Sequence, residues 1–248
     1  MSAPVFLAAA DVLVGAGPGD SVVLDGSEGR HAAVVRRLRP GEPVVLTDGQ
    51  GTSVECVVGE VSKSGLVCEV HERLSVPAPS PRLVVVQALP KGDRADLAVQ
   101  ALTEVGADVI VPWAAARCVV HWRGDRAVKS LARWRSHARE AGKQARRWWL
   151  PEVSDLATTA DVTKLLGPAT LPVVLHEAAQ WPLAELTVPD RGDIVVVVGP
   201  EGGISDDEVA TFAEAGGQAV RLGPSVLRTS TAGAVAGGIL LSRTARWS

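Results

Sequence analysis

Two short segments of this chain place glycine, proline, acidic and hydroxyl residues where a strand should give way to a helix. The first, Gly199-Pro200-Glu201-Gly202-Gly203, follows the apolar run Ile194–Val198 and precedes Ser205-Asp206-Asp207-Glu208. Ser205 and Glu208 have capping-box spacing, and three acids fall in the first turn of the helix they would open. In open α/β sheets, ligands bind beyond the carboxyl ends of strands, and glycine lets backbone approach them closely. A glycine-rich loop opening a helix ordinarily suits phosphate. Here the acids already answer the positive end of the helix dipole, so a neutral or cationic ligand such as an adenosyl sulfonium fits better. The alternative is that these acids only cap the helix. The second segment, Leu222-Gly223-Pro224-Ser225-Val226-Leu227-Arg228-Thr229-Ser230-Thr231-Ala232, has the same strand–loop–helix character. Gly223-Pro224 turns the chain, and Thr229, Ser230 or Thr231 can cap a helix. Val226 and Leu227 are out of place in a polar loop unless they wall a pocket for a flat ring, beside which Arg228 would project towards a phosphate or a base edge. A tight structural loop tucked on the core is the competing reading.

A third feature is charge. The chain carries 25 Lys and Arg against 28 Asp and Glu, net −3, yet residues 117–149 hold ten basic and two acidic side chains. Trp122, Trp134, Trp148 and Trp149 are interleaved with Arg117, Arg123, Lys143, Arg146, Arg147 and the other cations of this stretch. Such cations supply sequence-independent affinity for phosphates, and aromatic faces stack on unpaired bases; a solvated charged face is the alternative. On a helix over about 125–147, Val128, Leu131, Trp134, Ala138, Ala141 and Ala145 share a face, which predicts Trp134 in the core. His31, Arg36, Arg37 and Arg39 form a second, smaller basic cluster.

The elements that must position these residues fall into two regions. Residues 1–76 show short β-type runs separated by turn signals such as Asp48-Gly49 and Lys63-Ser64-Gly65. One helix, about Glu28–Leu38, interrupts them, which predicts a small β-barrel or sandwich. Pro77, Pro79 and Pro81 make residues 77–82 an extended linker. Residues 83–248 alternate strands (Leu83–Leu89, Val109–Val111, Val173–Leu175, Ile194–Val198, Ala219–Leu222) with helices (Arg94–Val105, the basic stretch, Ser205–Ala215, Thr231–Thr244), which predicts an α/β domain with a largely parallel sheet. Gly15-Ala16-Gly17-Pro18-Gly19 imitates a dinucleotide fingerprint, but Pro18 and Asp20 and the lack of a following helix make it a turn.

Composition narrows the class further. No apolar run approaches the ~20 residues of a membrane span, and no basic residue precedes the short apolar N-terminus, so a cytoplasmic protein with no membrane partner is expected. Cys56, Cys68 and Cys118 are odd in number and lack metal-ligand spacing, which predicts buried thiols with neither disulfide nor metal.

Taken together, GPEGGISDDE (199–208) and LGPSVLRTSTA (222–232) resemble the two signature segments of the SPOUT-superfamily 16S rRNA (uridine-N3)-methyltransferases, the E family of small-subunit methyltransferases. HAAVVRRLRPG (31–41), LPKGDRADLAVQALTEV (89–105) and EAGKQARRWWLPEV (140–153) extend the resemblance over essentially the whole chain. It implies an N-terminal PUA-like β-barrel, a C-terminal α/β SPOUT methyltransferase domain with a trefoil knot, and a homodimer. It also implies an S-adenosylmethionine pocket made of Leu175, His176, Gly199, Pro200, Glu201, Gly202, Leu222, Gly223, Val226 and Leu227. The implied reaction is methylation of uridine N3 in 16S rRNA of the small ribosomal subunit. Arg228 would stabilise charge on the uracil carbonyls. Glu201 is the nearest carboxylate, as a base or a structural cap. RNA contacts are expected from His31, Arg36, Arg37, Arg39, Arg117, Lys143, Arg146 and Arg147. Relatives often carry Arg and Glu at positions 225 and 230, where this chain has Ser225 and Ser230, so no role rests on an ion pair there. A ribose 2′-O-methyltransferase on the same scaffold, or a non-catalytic RNA-binding assembly factor, are the alternatives.

Overall fold

A computed structural model describes residues 3–247. The chain divides into two compact units, Met1–Ala78 with Lys143–Leu150, and Pro79–Gly142 with Pro151–Ser248.

The first unit contains β1 (Val5–Leu7), α1 (Ala10–Leu13), β2 (Ser21–Leu24), α2 (Gly26–Arg30) running into a π-helical turn (His31–Val35), β3 (Pro43–Thr47), β4 (Thr52–Val61) and β5 (Leu66–Ser75). Its sheet has the order β1-β3-β4-β5-β2, parallel only between β1 and β3. Alternating residues of the strands, including Phe6, Leu24, Leu46, Val54 and Leu66, fill one core. Each large side chain buried there contributes ~1.5–3 kcal/mol. Cys56 and Cys68 are part of it, and burial pushes their thiols up to about 12 and about 11. The helical segment is shorter than the expected Glu28–Leu38, because Arg37 turns out of helical space at φ 56° before Pro40-Gly41 is reached.

Residues 143–150 were expected to stay with the second region, but they pack with the first. Gly51 N–H donates to Trp148 O at 2.9 Å, Leu150 N–H to Gly49 O at 2.9 Å, and Trp149 Nε1–H to Val76 O at 2.9 Å. Gly51 (φ 96°) must be glycine, since a Cβ there would meet Val76 O at 2.5 Å and the Trp149 indole at 2.7 Å.

The second unit runs β6 (Arg82–Ala88), α3 (Arg94–Val105), β7 (Val109–Trp113), α4 (Gly124–Gln144, whose last residues belong to the first unit), β8 (Glu152–Val153), α5 (Thr159–Leu166), β9 (Leu171–Leu175), β10 (Trp181–Pro182), β11 (Asp193–Val198), α6 (Asp206–Glu214), β12 (Gln218–Arg221) and α7 (Thr229–Leu241). The sheet is parallel throughout, in the order β10-β12-β9-β11-β6-β7-β8. Ile194–Val198 of β11 lie at its centre and are fully buried, as an all-apolar strand covered on both faces must be. Gly106 ends α3 in the left-handed conformation, as its position predicts. Helix α7 lies close on α3 and the sheet because Gly233 and Gly237 face them: a Cβ at Gly233 would meet Leu102 Cδ2 at 2.9 Å and Val198 Cγ2 at 3.2 Å. On α4, Trp134, Ala138 and Ala141 are buried and Leu131 half-buried, whereas Val128 is 70% exposed and Ala145 lies beyond the helix end.

Candidate active site

The two glycine-bearing loops leave β11 and β12, which flank β9 on the same parallel sheet, so all three strands release their following loops on one carboxyl edge. There they enclose a cavity of about 320 Å³. Its walls include Leu175 and His176 from the end of β9, Gly199, Pro200 and Glu201 after β11, and Leu222, Gly223, Val226, Leu227 and Arg228 after β12. Of the eleven catalytic and cofactor-binding residues expected from sequence, the cavity gathers ten. Gly202 is the exception; it faces Arg117, whose Cβ would lie 3.2 Å from a Cβ placed there, and Gly203 and Ile204 line the cavity instead.

Local chemistry explains the shape. A Cβ on Gly199 would meet Ile204 Cγ1 at 2.7 Å, so glycine lets Ile204 fold back under the loop. Ser205 caps α6: its hydroxyl accepts Glu208 N–H, and the Glu208 carboxylate accepts Ser205 N–H at 3.1 Å in the expected capping box. The buried Glu208 carboxylate also accepts Ala116 N–H at 2.8 Å and Thr159 Oγ1–H at 3.1 Å, pinning the loop after β7 and the start of α5 to the same point. Its role is architectural, beyond the capping seen in sequence. Arg228 is the N-cap of α7, where its backbone carbonyl accepts Thr231 and Ala232 N–H at 2.9 Å and leaves its exposed guanidinium at the cavity.

Three polar details set the chemistry. Glu201 Oε1 accepts Lys91 N–H at 3.1 Å, tying the loop after β11 to the loop that leads into α3. His176 Nδ1 accepts Ala178 N–H at 3.2 Å, which in the neutral ring puts the proton on Nε2 and makes His176 a donor. Val226 and Leu227 stand 79% and 37% exposed, apolar surface that a flat ring would cover.

Arg94, Glu177 and Arg221 also line the cavity and were not singled out from sequence. Arg94 sits in the Lys91-Gly92-Asp93-Arg94 turn, where a glycine-bearing loop before a helix was the available signal. Nothing local marks Glu177 or Arg221; the fold brings them in.

The basic residues divide. Arg36, Arg37 and Arg39 are exposed and His31 is half-buried, edge-on to Phe6. Arg117 is exposed and donates to Gly202 O and Ile204 O at 3.4 Å, buttressing the loop after β11. Arg146 is exposed and donates to Ala3 O at 2.7 Å; Arg147 is half-buried. Lys143 corrects the expectation of an RNA contact: its side chain is 3% exposed and its ammonium pairs with Glu28 at 2.9 Å, because a buried charge needs a counter-charge more than a solvent-borne ligand. Arg133 pairs with Asp96 and Arg135 with Asp155, so part of the cationic excess is structural. Arg123, Arg126, Lys129 and Arg139 remain exposed along and before α4. Burial raises the Cys118 thiol, and among the described residues no group of His, Cys, Asp and Glu could hold a metal.

The family profile of an RNA methyltransferase domain matches residues 77–241, and that of an RNA methyltransferase PUA domain matches residues 24–70. A ribosomal RNA small subunit methyltransferase E from Mycobacterium bovis is 47% identical over 235 residues, covering 92% of this chain and 89% of the relative. The chain belongs to the ribosomal RNA small subunit methyltransferase E family. The Bacillus subtilis methyltransferase E is 30% identical over 84% of this chain and 85% of its own. Among solved structures, methyltransferase E from Neisseria gonorrhoeae bound to S-adenosyl methionine superposes with a TM-score of 0.84 at 28% identity, covering 97% of this chain and 98% of the other. A Legionella pneumophila methyltransferase with bound SAM gives a TM-score of 0.86 at 26% identity over 98% and 99%. The first unit is thus the PUA-like part of a methyltransferase E, and the parallel-sheet unit its RNA methyltransferase domain.

Proposed function

We propose that this protein transfers the methyl group of S-adenosylmethionine to N3 of a uridine in 16S ribosomal RNA of the small subunit. The observation that carries this reading is a cavity built from three strand ends, into which all but one of the expected catalytic and cofactor residues converge. Apolar Leu222, Val226 and Leu227 suit an adenine face, and the glycine backbone at 199 suits close approach. When bound, S-adenosylmethionine supplies an electrophilic methyl group.

The protein's own residues do the rest. The loops after β9, β11 and β12 hold the reacting atoms in line, where positioning accounts for much of the rate. The N3 proton would pass to solvent water ahead of methyl transfer, spreading negative charge onto the uracil carbonyls; the N3–carbon bond would then form as the sulfur–methyl bond breaks, with the neutral thioether as leaving group. Arg228, at the mouth, stabilises that charge. His176 Nε2–H is placed to donate a second hydrogen bond to ligand or substrate. Glu201 positions the loops through Lys91 rather than carrying the proton. The pairing edge of uracil must be free, so the substrate is an unpaired or extruded base. Exposed Arg36, Arg37, Arg39, Arg117 and Arg146, with Arg147 and His31, supply phosphate contacts.

The family resemblance further implies a trefoil knot through these loops and a cytoplasmic homodimer. Leu97 and Val235, 50% and 41% exposed on the packed helices α3 and α7, offer apolar surface for the second copy. The decisive experiment incubates purified protein and S-adenosylmethionine with 16S rRNA or small subunits from a strain lacking this gene, followed by nucleoside mass spectrometry, with light scattering on the same preparation. New 3-methyluridine is expected; a 2′-O-methylated nucleoside, or no product, rejects the reading.

A further inference from the structure

Trp181 is the largest side chain left to water near the active cavity, 68% exposed on an edge strand. Register fixes its position. Trp181 is aligned with Val220 and Pro182 with Arg221, and Val220 is in turn aligned with Leu175. Leu175 and Arg221 both line the cavity. Two inter-strand spacings, ~10 Å, therefore separate Trp181 from the cavity wall, and aligned residues of neighbouring strands face the same side. The five residues between Leu175 and Trp181 include His176 and Glu177 of that wall. Arg221 Nη1 donates to Ala179 O at 3.2 Å, fastening this connection to β12.

An exposed indole at the rim of a cavity that admits a nucleobase is an arrangement that holds unpaired nucleic acid, because the ring stacks on a base whatever its identity. We infer that Trp181 is a stacking platform for an unpaired nucleotide flanking the target. The site selects single-stranded RNA at the cavity mouth and keeps the target from sliding back into its helix. This assignment rests on the methyltransferase reading above.

The test compares wild type, Trp181→Ala and Trp181→Phe, using 16S rRNA or small subunits from a strain lacking this gene. Steady-state methylation, S-adenosylmethionine titration calorimetry, thermal melting and sedimentation velocity are read for each. Trp181→Ala should raise KM for RNA about tenfold or more, with cofactor affinity, melting temperature and oligomeric state unchanged. Trp181→Phe should recover most of the loss, because a smaller aromatic face still stacks. An unchanged KM in Trp181→Ala overturns the inference, as does a change in oligomeric state, which would assign the indole to a protein interface. If wild type itself fails to methylate, it is the underlying reading that has failed.

Discussion

Arg228 contributes to the protein in two separable ways. Its carbonyl caps α7, a backbone function that any residue retains, while its guanidinium stands exposed at the cavity. Arg228→Ala should therefore leave the fold and S-adenosylmethionine affinity nearly intact, within about threefold. Turnover should fall by the ~10²–10³ typical of losing one donor to developing charge. Titration calorimetry beside single-turnover kinetics separates the two quantities, and an equal loss in both would make Arg228 a cofactor ligand instead. The residues of the site were legible because their types were wrong for ordinary loops: glycines in series, and bare Val226 and Leu227. Lys143 was misread for a complementary reason. A run of cations looks like one surface in sequence, whereas its partner Glu28 lies far along the chain and takes this lysine out of it.

At the level of elements, the long strands and helices announced themselves through apolar runs, turn residues and caps, and Ser205 with Glu208 marked a helix start to within one residue. Some of the shortest elements did not: β8 and β10, two residues each, are too short for any periodicity, and the four-residue α1 has no side-chain cap. Helix α5 has a capping box, Thr158 with Asp161, but its eight residues are too few for an apolar face to stand out in sequence. Closeness between elements was also invisible. Gly233 reads as a weak helix residue, yet it lets α7 settle against Leu102, Val85 and Val198. Gly233→Val should lower stability by about 1–3 kcal/mol through overpacking, seen as a reduced thermal midpoint. An unchanged midpoint would mean that α7 shifts freely on α3.

Over the whole molecule, sequence order and spatial order part company at residues 143–150. Two backbone hydrogen bonds and the Trp149 indole bind this stretch to the turn at Gly49–Gly51 and to Val76, and Lys143 neutralises Glu28. A fragment ending at Ala78 thus lacks a piece of its own fold and leaves Glu28 without its cation. Residues 1–78 alone should melt well below the corresponding unit in the full chain, and a peptide spanning 143–150 added in trans should raise that midpoint. Equal melting with and without the peptide would show the stretch to be incidental. Linear domain boundaries missed this because no composition shift marks a segment that returns to an earlier unit.

The Glu208 carboxylate gathers Ser205, Ala116 and Thr159 at one spot. Three stretches of chain remote in sequence thereby share a single fastening. Their amides should lose protection from deuterium in concert, and inherited variation at position 208 should be filtered as strictly as variation in the pocket itself, although that side chain never meets the substrate.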